Sequence, residues 1–249
     1  MSAPTVAGLI AATAHSLSIS EEHVAWLAER HLRKAGLLPP EDSDPVTPEH
    51  AARLLVAVMA VQRPIDTVEA LKIYEELPAR RRFMTKPSAD GTASYQWDKV
   101  EDLPILPGCG QTFAIFSKGI VAALAALIDW ASQDAAVPAP FISDANAKLP
   151  PSVVPRFVTV SRDLDNPMAF IEADVSLPDQ PSAYVTLMYS HGDDAAAAYA
   201  LGELRLQLLA RTSAAILRTL GALFADSACA RPAKVQAQSA AALESGAAT

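Results

Sequence analysis

The chain has 249 residues, is 51% hydrophobic and carries a formal net charge of −8, which is enough apolar content to bury a core in one large domain or two small ones. Its acidity excludes a protein whose whole surface tracks a phosphate backbone, so any contact with DNA must be local. Cys109 and Cys229 are its only cysteines, far apart in sequence, so neither a disulfide framework nor a thiolate metal site is indicated and a reducing cytoplasm is the expected setting.

The amino end lacks a basic stretch followed by a long apolar core. The longest apolar run, Ile120–Ile128, falls short of the roughly 20 residues a bilayer crossing needs. No membrane contact and no export are expected.

A first helix is predicted over Thr5–His15, with Val6, Leu9 and Ile10 on one face and Ala14 extending it. The turn SLSIS is short enough to fold the chain back. A second helix, Glu21–Ala35, has Ser18 or Ser20 as N-cap, Glu21 and Glu22 in its first turn, Arg33 and Lys34 at its other end, and Gly36 as its stop. At helical spacing Val24, Leu27, Ala28, His31, Leu32 and Ala35 form an apolar arc, while His23, Trp26, Arg30, Arg33 and Lys34 gather opposite. A short helix, a tight turn and a second helix resemble a helix-turn-helix with Glu21–Ala35 as the recognition helix, although an ordinary helical hairpin would use the same caps and period.

The loop PPEDSDPV follows, where a winged helix would start its wing; Glu41, Asp42 and Asp44 there would repel phosphate. Thr47 caps a third helix running to about Val61, with Pro48 in its first turn and Ala51, Leu54, Leu55, Val58 and Met59 as a wide apolar face. A fourth helix is predicted over Asp66–Leu77. Arg80, Arg81 and Arg82 then form the densest positive run. They read either as a solvated helix end or as a flexible arm that settles on phosphates beside the recognition helix. Even so, residues 1–85 hold 9 basic and 11 acidic side chains, so the reader module is not net basic.

A polar stretch at 86–111 is the expected linker, and 112–228 the second domain. Thr112–Gln133 predicts a core helix through Phe113, Phe116, Ile120, Leu124, Leu127 and Ile128. Alternation then predicts strands over Val153–Ser161, Met168–Leu177, Ser182–Ser190 and Glu203–Leu209. The last of these could equally begin the following helix. Tight connections favour an antiparallel meander. Thr212 or Ser213 caps a last helix to about Asp226, and residues 229–249 are expected to be disordered. The fold class is therefore α+β: an N-terminal helical module at 1–85, and a C-terminal antiparallel sheet flanked by helices.

No catalytic arrangement stands out, so no catalytic residue, metal site or cofactor is expected. Gly108-Cys109-Gly110-Gln111-Thr112 lacks the lysine and glycine spacing of a phosphate loop and reads as a turn before an N-cap. His23 and His31 lie on different faces of their helix, and His191 sits in a loop without metal partners. Glu172 and Asp174 alternate on one strand face, as an acid/base pair would, but a solvated sheet face is the default. Trp26 is different in kind, because an indole pointing away from the local apolar face needs a partner: another helix, a second subunit, or a sugar-phosphate surface with a base methyl.

The letters Ser20, Val24, Ala28, Leu32, Arg33, Ala35, Gly36, Leu37 and Leu38, followed by Thr47, Pro48, Ala51, Ala52, Arg53, Leu54, Leu55 and Ala57, resemble the N-terminal part of uncharacterised phage and prophage proteins of alphaproteobacteria. The likeness covers about a quarter of the chain well, and a looser likeness extends through Thr112-Phe113 and the strand-then-helix ending. It implies a phage context and association with DNA, as a transcription regulator or a packaging recognition subunit. The expected partner is double-stranded DNA, gripped by His23, Trp26, Arg30, Arg33 and Lys34 with help from Arg80, Arg81 and Arg82. A homodimer would space two recognition helices about one DNA turn apart, and the C-terminal domain would serve self-association or a protein partner. The competing expectation is a non-enzymatic adaptor or inhibitor acting between phage and host.

Overall fold

The computed structural model describes residues 4–40, 44–61, 66–87, 93–99, 119–133, 152–165, 167–176, 183–191 and 209–228. The segments around Cys109 and the Gly-rich 108–112 turn, the tail at 229–249, and most of the expected strand before Leu209 lie outside them.

Helix α1 (Val6–Leu17) starts where the Thr5 side chain accepts the Gly8 N–H at 3.3 Å. It ends at Ser18, whose left-handed backbone (φ 54°) lets the Ser18 and Ile19 N–H groups donate to the His15 and Ala14 carbonyls. Ser18 thus closes the first helix, and Ser20 opens α2 (Glu21–Leu27) by accepting the His23 N–H at 3.1 Å. The single α-helix expected to Ala35 instead changes to π-helical winding over Ala28–Arg33. Gly36, at φ 70°, stops it as read from the sequence: Gly36 N–H donates to Arg33 and Leu37 N–H to Leu32.

Helix α3 (Pro48–Ala60) has a reciprocal cap, with the Thr47 hydroxyl accepting the His50 N–H while His50 Nδ1 accepts the Thr47 N–H. Helix α4 (Thr67–Glu76) follows. Its buried Tyr74 donates its hydroxyl to the Ser161 carbonyl, tying helix to sheet, and burial pushes that phenol well above its ordinary range. Strands β1 (Ala79–Pro87) and β2 (Ala93–Lys99) come next, then α5 (Ile120–Gln133), β3 (Ser152–Ser161), β4 (Met168–Ser176), β5 (Ala183–Ser190), β6 (Leu209–Ser213) and α6 (Ala215–Ala228).

The strands form one six-stranded antiparallel sheet in the order β2-β1-β5-β4-β3-β6. The expected meander is its centre, β5-β4-β3. The hairpin of β1 and β2 was not expected: Arg80–Arg82 form part of a strand hydrogen-bonded on both sides, and the break drawn at residue 85 falls inside β1. The part of the expected linker that is described, 86–87 and 93–99, is likewise strand.

One face of the sheet carries Val158, Val160, Ala169, Ile171, Ala173, Val185, Leu187 and Tyr189, which join residues of every helix from α1 to α6 in a single apolar cluster. The N-terminal helices and the sheet therefore share one core instead of building two. The opposite face, with Thr159, Phe170, Glu172, Thr186 and Met188, is buried as well.

Candidate nucleic-acid interface

Helix α2 is held by Val24, Leu27, Ala28 and Leu32, all buried, and burial of four such side chains is worth several kcal/mol at about 25 cal/mol per Å². That anchoring fixes which side faces outward. His23, Arg30 and Lys34 are exposed, and Trp26 keeps 44% of its surface accessible. Trp26, Arg30 and Lys34, four apart and all exposed, follow one side of the helix, Arg30 alone falling within its π-helical part. Residues five apart also meet: the Trp26 and His31 rings lie 4.8 Å between centroids at 60°. His31 is only half-buried, at the edge of the apolar arc assigned to it, and its Nε2 is buried without a hydrogen bond.

Arg33 differs from its neighbours, being half-buried and engaged within the protein. The negative charges of Glu21, Glu22 and Glu29 are exposed on the same helix.

The arginine run does not behave as a flexible arm. Arg80 is half-buried and donates its Nε to the Ser190 carbonyl at 3.3 Å. Arg81 pairs in register with Lys99 and Met188, and Arg82 with Asp98 and Leu187. His23 lines a cleft against β6, whereas β1 is four strands away across the sheet, roughly 19 Å at strand spacing. The fold does not bring Arg80–Arg82 beside His23.

The Glu172 and Asp174 carboxylates do not form an acid/base pair. Glu172, with its side chain 5% exposed, accepts from Arg211 Nη2 at 2.5 Å, and Arg211 also lies 3.9 Å over the Phe157 ring. Asp174 is paired with Arg156. Each carboxylate is thus matched by its own guanidinium, and the solvated face expected at Glu172 is a buried one. A cleft of about 650 Å³ between α3, α4 and α5 contains Glu49, Arg53 and Glu75, but Arg53 spans both acids at 2.6 and 2.7 Å, so its charge is also used internally.

Among the described residues no group of His, Cys, Asp and Glu could hold a metal ion, and no helix is long and apolar enough to cross a membrane. Compared with known proteins, the chain matches no family model, no curated protein and no solved structure.

Proposed function

We propose that the protein binds double-stranded DNA, with α1 and α2 as a helix-turn-helix and the outer face of α2 as the reading surface. A homodimer would present two such surfaces, in the manner of a phage transcription regulator or packaging recognition subunit. The observation that supports this reading is the uncovered column of Trp26, Arg30 and Lys34. It combines an indole able to pack on sugar and thymine methyl with cations able to grip phosphate or guanine.

The test is fluorescence anisotropy at low salt on a randomised duplex library and on the selected duplexes. Selective binding is expected. Trp26→Ala and Arg30→Ala should each weaken it about tenfold or more, in line with roughly 1–3 kcal/mol per specific contact. Absence of preference for any duplex would remove the proposal.

A second reading has its own observation. Ile19 at 36% and Trp26 at 44% are both exposed large hydrophobics on the same helical hairpin, a composition that suits a protein partner. On that reading the protein is a non-enzymatic adaptor, and Trp26→Ala would abolish a salt-insensitive protein complex. Tight DNA binding by protein purified without a partner would exclude it.

A further inference from the structure

A second cleft of about 650 Å³ opens where the α1–α2 turn, the end of α3 and the edge strand β6 meet. Leu17, Ile19, Val58, Met59 and Val61 supply its apolar part, and the side chains of Arg162 and Arg211 stand at its wall with His23. Its volume is that of a small-molecule site, and its lining is mixed, with apolar side chains beside cationic and polar ones. No carboxylate lines it among the described residues.

The two guanidiniums are committed differently. Arg211 is matched by Glu172 and by the Phe157 ring. Arg162 projects from the connection between β3 and β4 and uses its Nε to donate to the Met59 carbonyl at 3.1 Å, at the C-terminal end of α3. That single bond fixes the side chain at the cleft. Its Nη groups have no carboxylate partner among the described residues, and the neighbouring Asp163 accepts the Asp165 N–H. The result is a guanidinium positioned beside the apolar side chains and without a carboxylate partner among the described residues.

We propose that this cleft binds a small amphipathic organic anion, its hydrocarbon on Leu17, Ile19 and Val61 and its anionic head on Arg162. Arg162 is chosen as the head-group ligand because a guanidinium offers paired donors to an oxyanion and its alkyl stem is already ordered. The proposal is independent of DNA binding and survives if that reading fails.

Octanoate serves as the probe, with octan-1-ol, octyltrimethylammonium and acetate as controls, measured on the full chain by calorimetry and by the Met59 methyl resonance in labelled protein. Octanoate is expected to bind and shift that resonance, octanol and acetate to bind at least tenfold more weakly, and the cation not to bind. Arg162→Gln should reduce octanoate affinity about tenfold to a hundredfold, the range of one charge-assisted contact. Arg162→Lys, which keeps the charge but loses the paired donors and the bond to Met59, should fall between the wild type and Arg162→Gln. Equal binding of octanol and octanoate, an unshifted Met59 methyl, or no octanoate binding at millimolar concentration each overturns the proposal. If Arg162→Gln does not fold, the lysine variant and the wild-type head-group series still decide it.

Discussion

Replacing Gly119 by alanine should be among the most damaging single-methyl changes in the chain. Gly119 precedes α5 with φ at 120° and accepts the Ala123 N–H through its carbonyl. A Cβ there would lie 2.2 Å from the Glu75 carbonyl oxygen, 3.1 Å from its carbon and 3.3 Å from the Leu77 oxygen. These are backbone atoms at the end of α4, so no side-chain rotation relieves the clash. The backbone conformation costs a side-chain-bearing residue about 1–3 kcal/mol and forced overpacking a further 1–3 kcal/mol, so the sum is about 2–6 kcal/mol. Against a total stability of about 5–15 kcal/mol that is a large share. With an m-value of roughly 3 kcal/mol/M the urea midpoint should fall by about 0.7–2 M. Gly36 provides the control, since at φ 70° a Cβ meets nothing within 4 Å. Gly36→Ala should therefore cost only the left-handed strain, about 1–2 kcal/mol. Equal costs at the two glycines, or less than about 1 kcal/mol at Gly119, would refute the claim that close approach of α4 governs this position.

Ser18→Gly should raise stability by about 0.5–1 kcal/mol in the same assay, because Ser18 holds φ 54° with an exposed side chain that a glycine can dispense with. Arg211→Ala removes the guanidinium that meets the buried Glu172 carboxylate and should cost about 2–3 kcal/mol at neutral pH, less than a fully buried pair because Arg211 is half exposed. Adding Glu172→Gln should recover part of that loss, and a double variant as unstable as Arg211→Ala would argue against the pairing. Burial first, then the Arg53 charge, holds the His50 imidazole below its ordinary value of 6.5. The unfolded chain therefore takes up a proton before the native protein does. Its contribution is complete above pH 6.5 and is lost as pH falls through the lowered native value. Denaturation curves between pH 8 and 5 should show this fall in the wild type and a flatter profile in His50→Asn.

The helix boundaries were legible because their signals are local. Thr5, Ser20, Gly36 and Thr47 each act through bonds to groups two to four residues away. The central strands were legible from alternation, as Ile171 and Ala173 join the core while Glu172 faces the other way. The β1–β2 hairpin was not legible because the charged run Arg80–Arg82 masks the strand pattern at the start of β1. Yet Tyr95 and Trp97 alternate with polar residues, and Asp90-Gly91 is a hairpin turn signal. Its partner, β5, lies about a hundred residues on, and that pairing joins the two expected domains into one core. Neither the helix end at Gly119 nor the cleft at Arg162 could be read locally, since one depends on the approach of α4 and the other on a bond to Met59 across 103 positions. The outer face of α2 was legible except for its winding, and the change to π turns draws Trp26 onto His31.

The electrostatics of that face constrain how it could act on DNA. On the outer column Arg30 and Lys34 are exposed cations, while Glu21, Glu22 and Glu29 are exposed on the same helix and the whole chain carries −8. At physiological salt the Debye length is about 8 Å, so the distant acidic surface is largely screened and the local column decides contact. If Arg30 and Lys34 each neutralise one phosphate, the slope of log K against log salt is about −1.8 for one protomer and about −3.6 for two. Raising salt fourfold would then weaken a monomer complex about twelvefold and a dimer complex about 150-fold. Proteins with six to ten phosphate contacts lose about a thousandfold or more over the same range. The proposed interface thus needs two copies and base contacts from Trp26 to reach useful affinity. A slope near −3.6, halved by Lys34→Ala in both protomers, is the expected result. A slope steeper than about −6 would mean that cations elsewhere on the chain carry the binding, and α2 would lose its assigned role.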